Sequence, residues 1–236
     1  MYLPQQVFDA VDQHTVPVLL LCGGALIGNY IMWIENLRLG FRHRIYTMPV
    51  GSLFFFLPHD GTFVLMHGKW FGEYDHWFPH LWWYGLCVTV CMELTFLILL
   101  LRHGRQELAP ETTQGRFTAA VLFGMVLCTV AWLTVKSTMD DELFLIIFGV
   151  TIFWCSPFNF ALMAQRKSAA GQSMLAWCGY LMMPIFYWPA TLYFGPYFHS
   201  PVWLALGVAT VAGGVANLYY IHHLLKQRNT VIDKRT

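Results

Sequence analysis

Asp60 stands in "MPVGSLFFFLPHDGTFVLM" (48–66) among phenylalanines and leucines, and Glu93 in "WWYGLCVTVCMELTFLILL" (82–100). Asn29, Asn159 and Asn217 occupy three further apolar runs. Ionisable and amide side chains at hydrocarbon depth cost several kcal/mol, so each is a candidate functional group expected to face inward. A carboxyl kept from water resists ionisation, so Asp60 is expected to hold its proton at neutral pH and be able to donate it. Around these groups lie Tyr30, Trp33, Phe56, Phe63, Trp83, Trp154 and Tyr220. Aromatic faces attract cations by about 2 kcal/mol or more when both are dry. An acid set among rings suits a reaction that passes through carbocations.

The competing reading is interhelical hydrogen bonding, worth about 1 kcal/mol per asparagine. It weighs equally with function for Asn29 and Asn159, and less for Asp60 and Glu93, because a carboxyl is costlier to bury. The rings equally suit a membrane core or an interfacial belt. At 1.5 Å per helical residue the polar groups span a depth of roughly 10–15 Å, within reach of one cavity. Pro58 withdraws a hydrogen bond from the carbonyl of Phe54 and is expected to bend the segment beside the acid. His59 is about 100° around a regular helix from Asp60, so it is expected to face elsewhere and not to relay protons to it.

The elements that must position these groups follow from composition. Hydrophobic residues make up 57% of the 236 and charged ones only 11%, a membrane composition. Apolar segments at 16–34, 46–66, 81–101, 117–136, 143–164, 173–194 and 202–224 are each about 30 Å long as helices and match a bilayer core. The expectation is an all-α, multi-pass integral membrane protein in which residues 1–236 form a single seven-helix domain. The N-terminal "MYLPQQVFDAVDQHT" lacks a basic start and a small-residue cleavage site, so the first span is expected to be retained.

Of the 14 lysines and arginines, only Lys69 and Lys136 fall in loops of one parity. Arg38, Arg42, Arg44, Arg102, Arg105, Arg116, Arg166, Lys167, Lys226, Arg228, Lys234 and Arg235 share the other. Basic loops stay cytoplasmic, which puts the N-terminus outside and the C-terminus inside.

All six cysteines lie within spans and read as small apolar residues, the Cys87 and Cys91 pair included. "HGKWFGEYDHWFPH" (67–80) has the make-up of a headgroup-level aromatic belt, with a pocket lid as the lesser alternative. The acids of "STMDDEL" (137–143) read as a helix cap. No second acidic motif joins them, so no metal and no cofactor are expected. The seventh span has no lysine for a retinal Schiff base, and no internal repeat suggests a duplicated transporter.

Several stretches together carry a family likeness. "GNYIMWIENLRLGFRHRIYTMP", with Asn29, Tyr30, Arg42, Arg44, Tyr46, Met48 and Pro49, followed by Asp60, resembles the membrane-integral terpene cyclases first known from fungal meroterpenoid pathways, which have bacterial relatives. "LLLRHGRQELAP" (99–110) is similar to that family's basic ending of the third span, and "SPFNFALMAQRKSAAGQSMLAW" (156–177) to its arginine-then-Gly-Gln-Ser loop. "NLYYIHHLL" (217–225) resembles its last span. The likeness covers most of the chain. It departs at three positions, where Asp60 replaces an expected Glu, Glu93 an expected Asp and Asn217 an expected Asp.

The resemblance implies a metal-independent cyclase. Such an enzyme protonates the terminal alkene or epoxide of a linear farnesyl-type or meroterpenoid chain, closes rings through tertiary cations and loses a proton. Asp60 is then the expected donor, with Glu93 and Asn217 in its hydrogen-bond network or taking the final proton. Asn29, Tyr30, Trp33, Phe56, Phe63, Trp83, Trp154, Asn159 and Tyr220 are expected to line the substrate. The expected partners are a linear isoprenoid and the bilayer, with no nucleic acid. The residues alone also admit a proton-coupled transporter or lipid-binding membrane protein, in which Asp60 and Glu93 carry coupled protons, or an assembly subunit in which they sit at helix contacts.

Overall fold

The computed structural model describes residues 2–233, with side chains through residue 227. The charges of Arg228, Lys234 and Arg235 lie outside the described side chains. Among the described residues every regular element is helical and there is no strand. In chain order these are α1 (Pro4–Gln13), α2 (Thr15–His43), α3 (Val50–Leu65), a π-helical turn (Lys69–Tyr74), α4 (Trp77–His103), α5 (Arg105–Leu108) and α6 (Gln114–Thr138). There follow α7 (Leu145–Arg166), α8 (Met174–Thr191), a 3-10 turn (Pro196–His199) and α9 (Pro201–Asp233).

Five helices, α2, α4, α6, α7 and α9, are long and apolar enough to cross a membrane. α3 has 16 residues and is apolar but short. α8 carries Pro184 and Pro189 in its interior and buries much of its length, including Trp177, Tyr180, Tyr187 and Trp188. Each of the seven apolar segments of the sequence holds one of these long helices, with shifted ends. α2 continues past Ile34 to His43 because Glu35 and Arg38, three apart on the helix, neutralise one another at 2.6 Å. α3 starts four residues inside its segment, at Val50, after Pro49.

Local chemistry fixes the boundaries. Thr113 accepts the Arg116 N–H at the start of α6, and Ser173 accepts the Ala176 N–H at the start of α8. α2 and α7 end in left-handed residues, Arg44 (φ 54°) and Lys167 (φ 49°). Arg42, His43 and Arg166 in their last turns meet the negative end of the helix dipole.

α8 crosses α2 at a point where both backbones are bare. A Cβ on Gly179 would lie 2.8 Å from the Gly28 carbonyl oxygen, and one on Gly28 would lie 2.6 Å from that of Gly179. Small residues permit such close approach where lipid provides no hydrophobic drive to associate. α9 repeats the device against α7, with Gly213 over Ser156 and Gly149 under Trp203. α6 stands at the periphery. Only 11% of its apolar window is buried, and Phe123, Val126, Leu127 and Val130 are more than half exposed. Such a face suits hydrocarbon, not water.

The connections gather at two ends. At the end that carries the N-terminus, α1 lies across the bundle on Val7, Phe8 and Val11. Phe8 stacks on His76 at 4.4 Å, and Asp12 accepts the Trp77 indole N–H at 2.8 Å. Within the 67–80 stretch, Trp70 turns inward while His67, Gly72, Glu73 and Asp75 stay exposed. Trp70 is fully buried, stacked on Phe63 at 4.2 Å and donating to the Phe63 carbonyl. Of the acids at 140–142, only Asp141 reaches the first turn of α7, and Glu142 pairs elsewhere. Asp141 accepts the Ile147 N–H at 2.8 Å and the Tyr2 hydroxyl, while Glu142 takes Lys69 at 2.7 Å and the Tyr74 hydroxyl. These Lys69 and Tyr74 contacts hold the Glu142 carboxyl below its ordinary range.

Candidate functional site

α3 and α4 bring the two intramembrane acids together. Asp60, Glu93 and His59 are 1%, 0% and 0% exposed, so the three form a titratable cluster sealed from solvent. Asp60 and Glu93 lie within electrostatic and hydrogen-bonding reach of one another, and Glu93 has no other partner among the described residues.

His59 corrects the expectation from the helical wheel. Its Nδ1 lies 2.5 Å from Asp60 Oδ1, a buried side-chain contact between neighbours in sequence. The 100° between successive positions separates Cβ directions. Imidazole Nδ1 and carboxylate Oδ1 each lie two bonds past Cβ, and those ends can turn toward one another. The other ring nitrogen, Nε2, is buried without a partner. Rings surround it: Trp132 at 5.9 Å, Phe144 at 5.6 Å and Phe148 at 5.7 Å.

α2 supplies the third side. Tyr30 donates to the Gly85 carbonyl at 2.9 Å, an oxygen that also accepts from Thr89 at 3.0 Å, and Tyr30 lies within electrostatic reach of Asp60. Trp33 meets Phe56 edge-on at 5.5 Å and Phe96 at 5.8 Å. Phe56 lies one turn from Asp60, and Phe96 one turn from Glu93. The Trp33 indole N–H is also buried and unpartnered. Buried polar atoms are nearly always satisfied, so the orphaned nitrogens of His59 and Trp33 mark unspent hydrogen-bonding capacity.

Beside this cluster is a cavity of about 260 Å³ between α2, α4, α7 and α8. Leu26, Trp82, Gly85, Phe148 and Met183 line it with Asn29, whose amide has no hydrogen-bond partner among the described residues. Leu19 and Leu81 also line it and are 37% and 52% exposed, so the cavity opens sideways between α2 and α4. Asp60 and Glu93 are not in its wall. Phe148 is, and the same ring rests against His59.

The remaining sequence candidates lie elsewhere. Asn159 turns back onto its own helix, donating to the Cys155 carbonyl at 2.9 Å. Asn217 spends its amide on Ser156 (2.6 Å to Oγ) and Gly213, which ties α9 to α7 and not to the carboxyls. Trp83 donates to the Val64 carbonyl and packs on Phe71. Trp154 is 38% exposed among Phe55 and Phe158, and Tyr220 lies against Phe160. Phe63 stays near the cluster through Phe144, 5.3 Å away. The sequence reading passed over Thr89, Trp132, Phe144 and Phe148. Thr89 was discoverable, one turn before Glu93 on the same face. The three rings come from segments distant in sequence and gave no local signal.

Parts of three stretches that carried the family likeness meet at the bundle's other end. Arg166 makes a two-pronged contact with Glu107 (2.8 and 2.9 Å), donates to the Tyr46 carbonyl and lies over the Tyr46 ring at 4.5 Å. Gln172 donates to the Thr47 carbonyl at 2.9 Å and accepts from Trp177. They form one clamp across three loops. Comparison with known protein families, with curated proteins and with solved structures yields no match.

Proposed function

We propose that this chain is a seven-pass integral membrane terpene cyclase, with its N-terminus outside and its C-terminus in the cytoplasm. α3 and α8 complete the count of crossings. The distribution of basic residues and the gathering of Arg166, Glu107 and Tyr46 at one end support the topology. The observation that carries the activity is the sealed cluster of Asp60, His59 and Glu93 next to an apolar, laterally open cavity.

The two carboxyls lie within electrostatic reach of one another with a single imidazole beside them, and the proposed reaction draws on one proton held in this cluster. A linear isoprenoid enters from the bilayer between α2 and α4. With the Phe148 ring turned aside, its terminal double bond or epoxide meets Asp60. Transfer of the Asp60 proton to carbon leaves a tertiary cation, and transfer to epoxide oxygen opens the C–O bond to the same end. An internal double bond attacks the cation and closes a ring, while Trp33, Phe56 and Phe96 offer their faces to the moving charge. Loss of a proton from the adjacent carbon forms the final double bond. That proton returns to the cluster, so the product is an isomer of the substrate.

The test is to incubate membranes that contain the full chain with linear farnesyl-type compounds, with and without a terminal epoxide. Cyclic isomers by gas chromatography and mass spectrometry are expected. Failure to convert any linear isoprenoid would contradict the reading.

A further inference from the structure

A second and larger cavity, about 600 Å³, opens at the end of the bundle where α2, the α7–α8 loop and α9 come together. Its floor is apolar, with Leu39, Ile45 and Leu224, and its rim is polar, with His43, Lys167 and Ser168. No acid lines it. Glu107 and Glu35 are already taken, by Arg166 and by Arg38. Lys167 has no acidic partner among the described residues.

The rim is held in shape before anything binds. Lys167 sits in the left-handed region at φ 49°, a conformation that a lysine keeps only where its surroundings impose it. Gly171, at φ 79°, has Ile45 Cδ1 at 3.0 Å and Thr47 Cγ2 at 3.1 Å from where a Cβ would be. Ser168 accepts the Ala170 N–H at 3.2 Å, and Arg166 donates to the Ala170 carbonyl at 3.0 Å. The N–H groups of Ala169 and Gly171 have no partner among the described residues, which leaves two further donors in the same wall.

We propose that this cavity binds the headgroup of an anionic phospholipid. The phosphate would lie at Lys167 and the loop N–H groups, and the first methylenes would lie on Leu39, Ile45 and Leu224. Unpaired cations with unused N–H donors match a phosphate. The apolar floor matches the tail attached to it. The helix ends are also where a bilayer presents such groups, beside the exposed Arg42 and Arg44. The proposal does not depend on the cyclase reading.

Native mass spectrometry of the detergent-purified full chain tests it, with phosphatidylglycerol, phosphatidylcholine and inorganic phosphate as separate probes. One phosphatidylglycerol should be retained at least about fivefold more tightly than phosphatidylcholine, and Lys167→Gln should erase about that preference. Inorganic phosphate should bind more weakly than the lipid, because it leaves the floor bare. Equal retention of the two lipids, no response to Lys167→Gln, or phosphate binding as tightly as the lipid would each overturn the proposal. Thermal unfolding of Lys167→Gln at the wild-type temperature separates loss of the site from loss of the fold.

Discussion

At the scale of single residues, the account turns on a contact between neighbours. Asp60 was visible in the sequence because an acid amid phenylalanines is costly, and Glu93 for the same reason. Their proximity was not, since it depends on how α3 packs on α4. The bond from His59 to Asp60 was not legible either, because a helical wheel tracks Cβ and not the end of a side chain. In the proposed mechanism His59 orients the donor, so His59→Gln should lower the initial rate of cyclisation by about ten- to a hundredfold while leaving helix content unchanged. Circular dichroism beside a product assay checks this. A second prediction concerns Glu142, whose folded carboxyl is held below the ordinary 4.5 first by Lys69 and then by Tyr74. A depressed carboxylate stabilises the fold above its unfolded value, and that stability disappears as pH falls through the folded value. Wild type should therefore unfold at a slightly higher temperature than Glu142→Gln at pH 7, with the gap closing below about pH 4. The effect is small because the Glu142 side chain is 42% exposed.

The helices were the most legible element, because hydrophobic length and the alternation of basic loops speak with the same period. Their ends were less so. Glu35 and Arg38 looked like the edge of a span, yet their mutual pairing lets α2 continue. The amphipathic α1 and the inward fold of Trp70 were hidden because they depend on tertiary partners, Tyr74, His76 and Phe63. The α2–α8 crossing makes a sharp prediction. Gly179→Ala places a methyl 2.8 Å from the Gly28 carbonyl oxygen and the Met32 nitrogen, both backbone atoms that do not yield. It should cost about 1–3 kcal/mol, read as a lower unfolding temperature in detergent. Gly23→Ala, on α2, meets nothing within 4 Å and should be neutral or slightly stabilising. If both variants behaved alike, the close crossing would be wrong.

For the whole molecule, a hydrocarbon-facing exterior, two capped ends and a sealed acid cluster between them make one arrangement. Composition announced the exterior. The distant rings Trp132, Phe144 and Phe148 that enclose His59 could not be read, because nothing local links them. The proposed topology predicts that a reporter fused after Thr236 is active in the cytoplasm and one fused before Met1 outside. The reverse pattern would contradict the orientation, and both reporters on one side would contradict seven crossings. The central claim is that a proton held at Asp60 starts ring closure, and the most direct measurement is the cyclisation rate of Asp60→Asn at matched levels of folded protein. Asparagine preserves size and hydrogen bonding to His59 but has no acidic proton. A fall of about a hundredfold or more is predicted. Cyclisation at an undiminished rate would contradict the account.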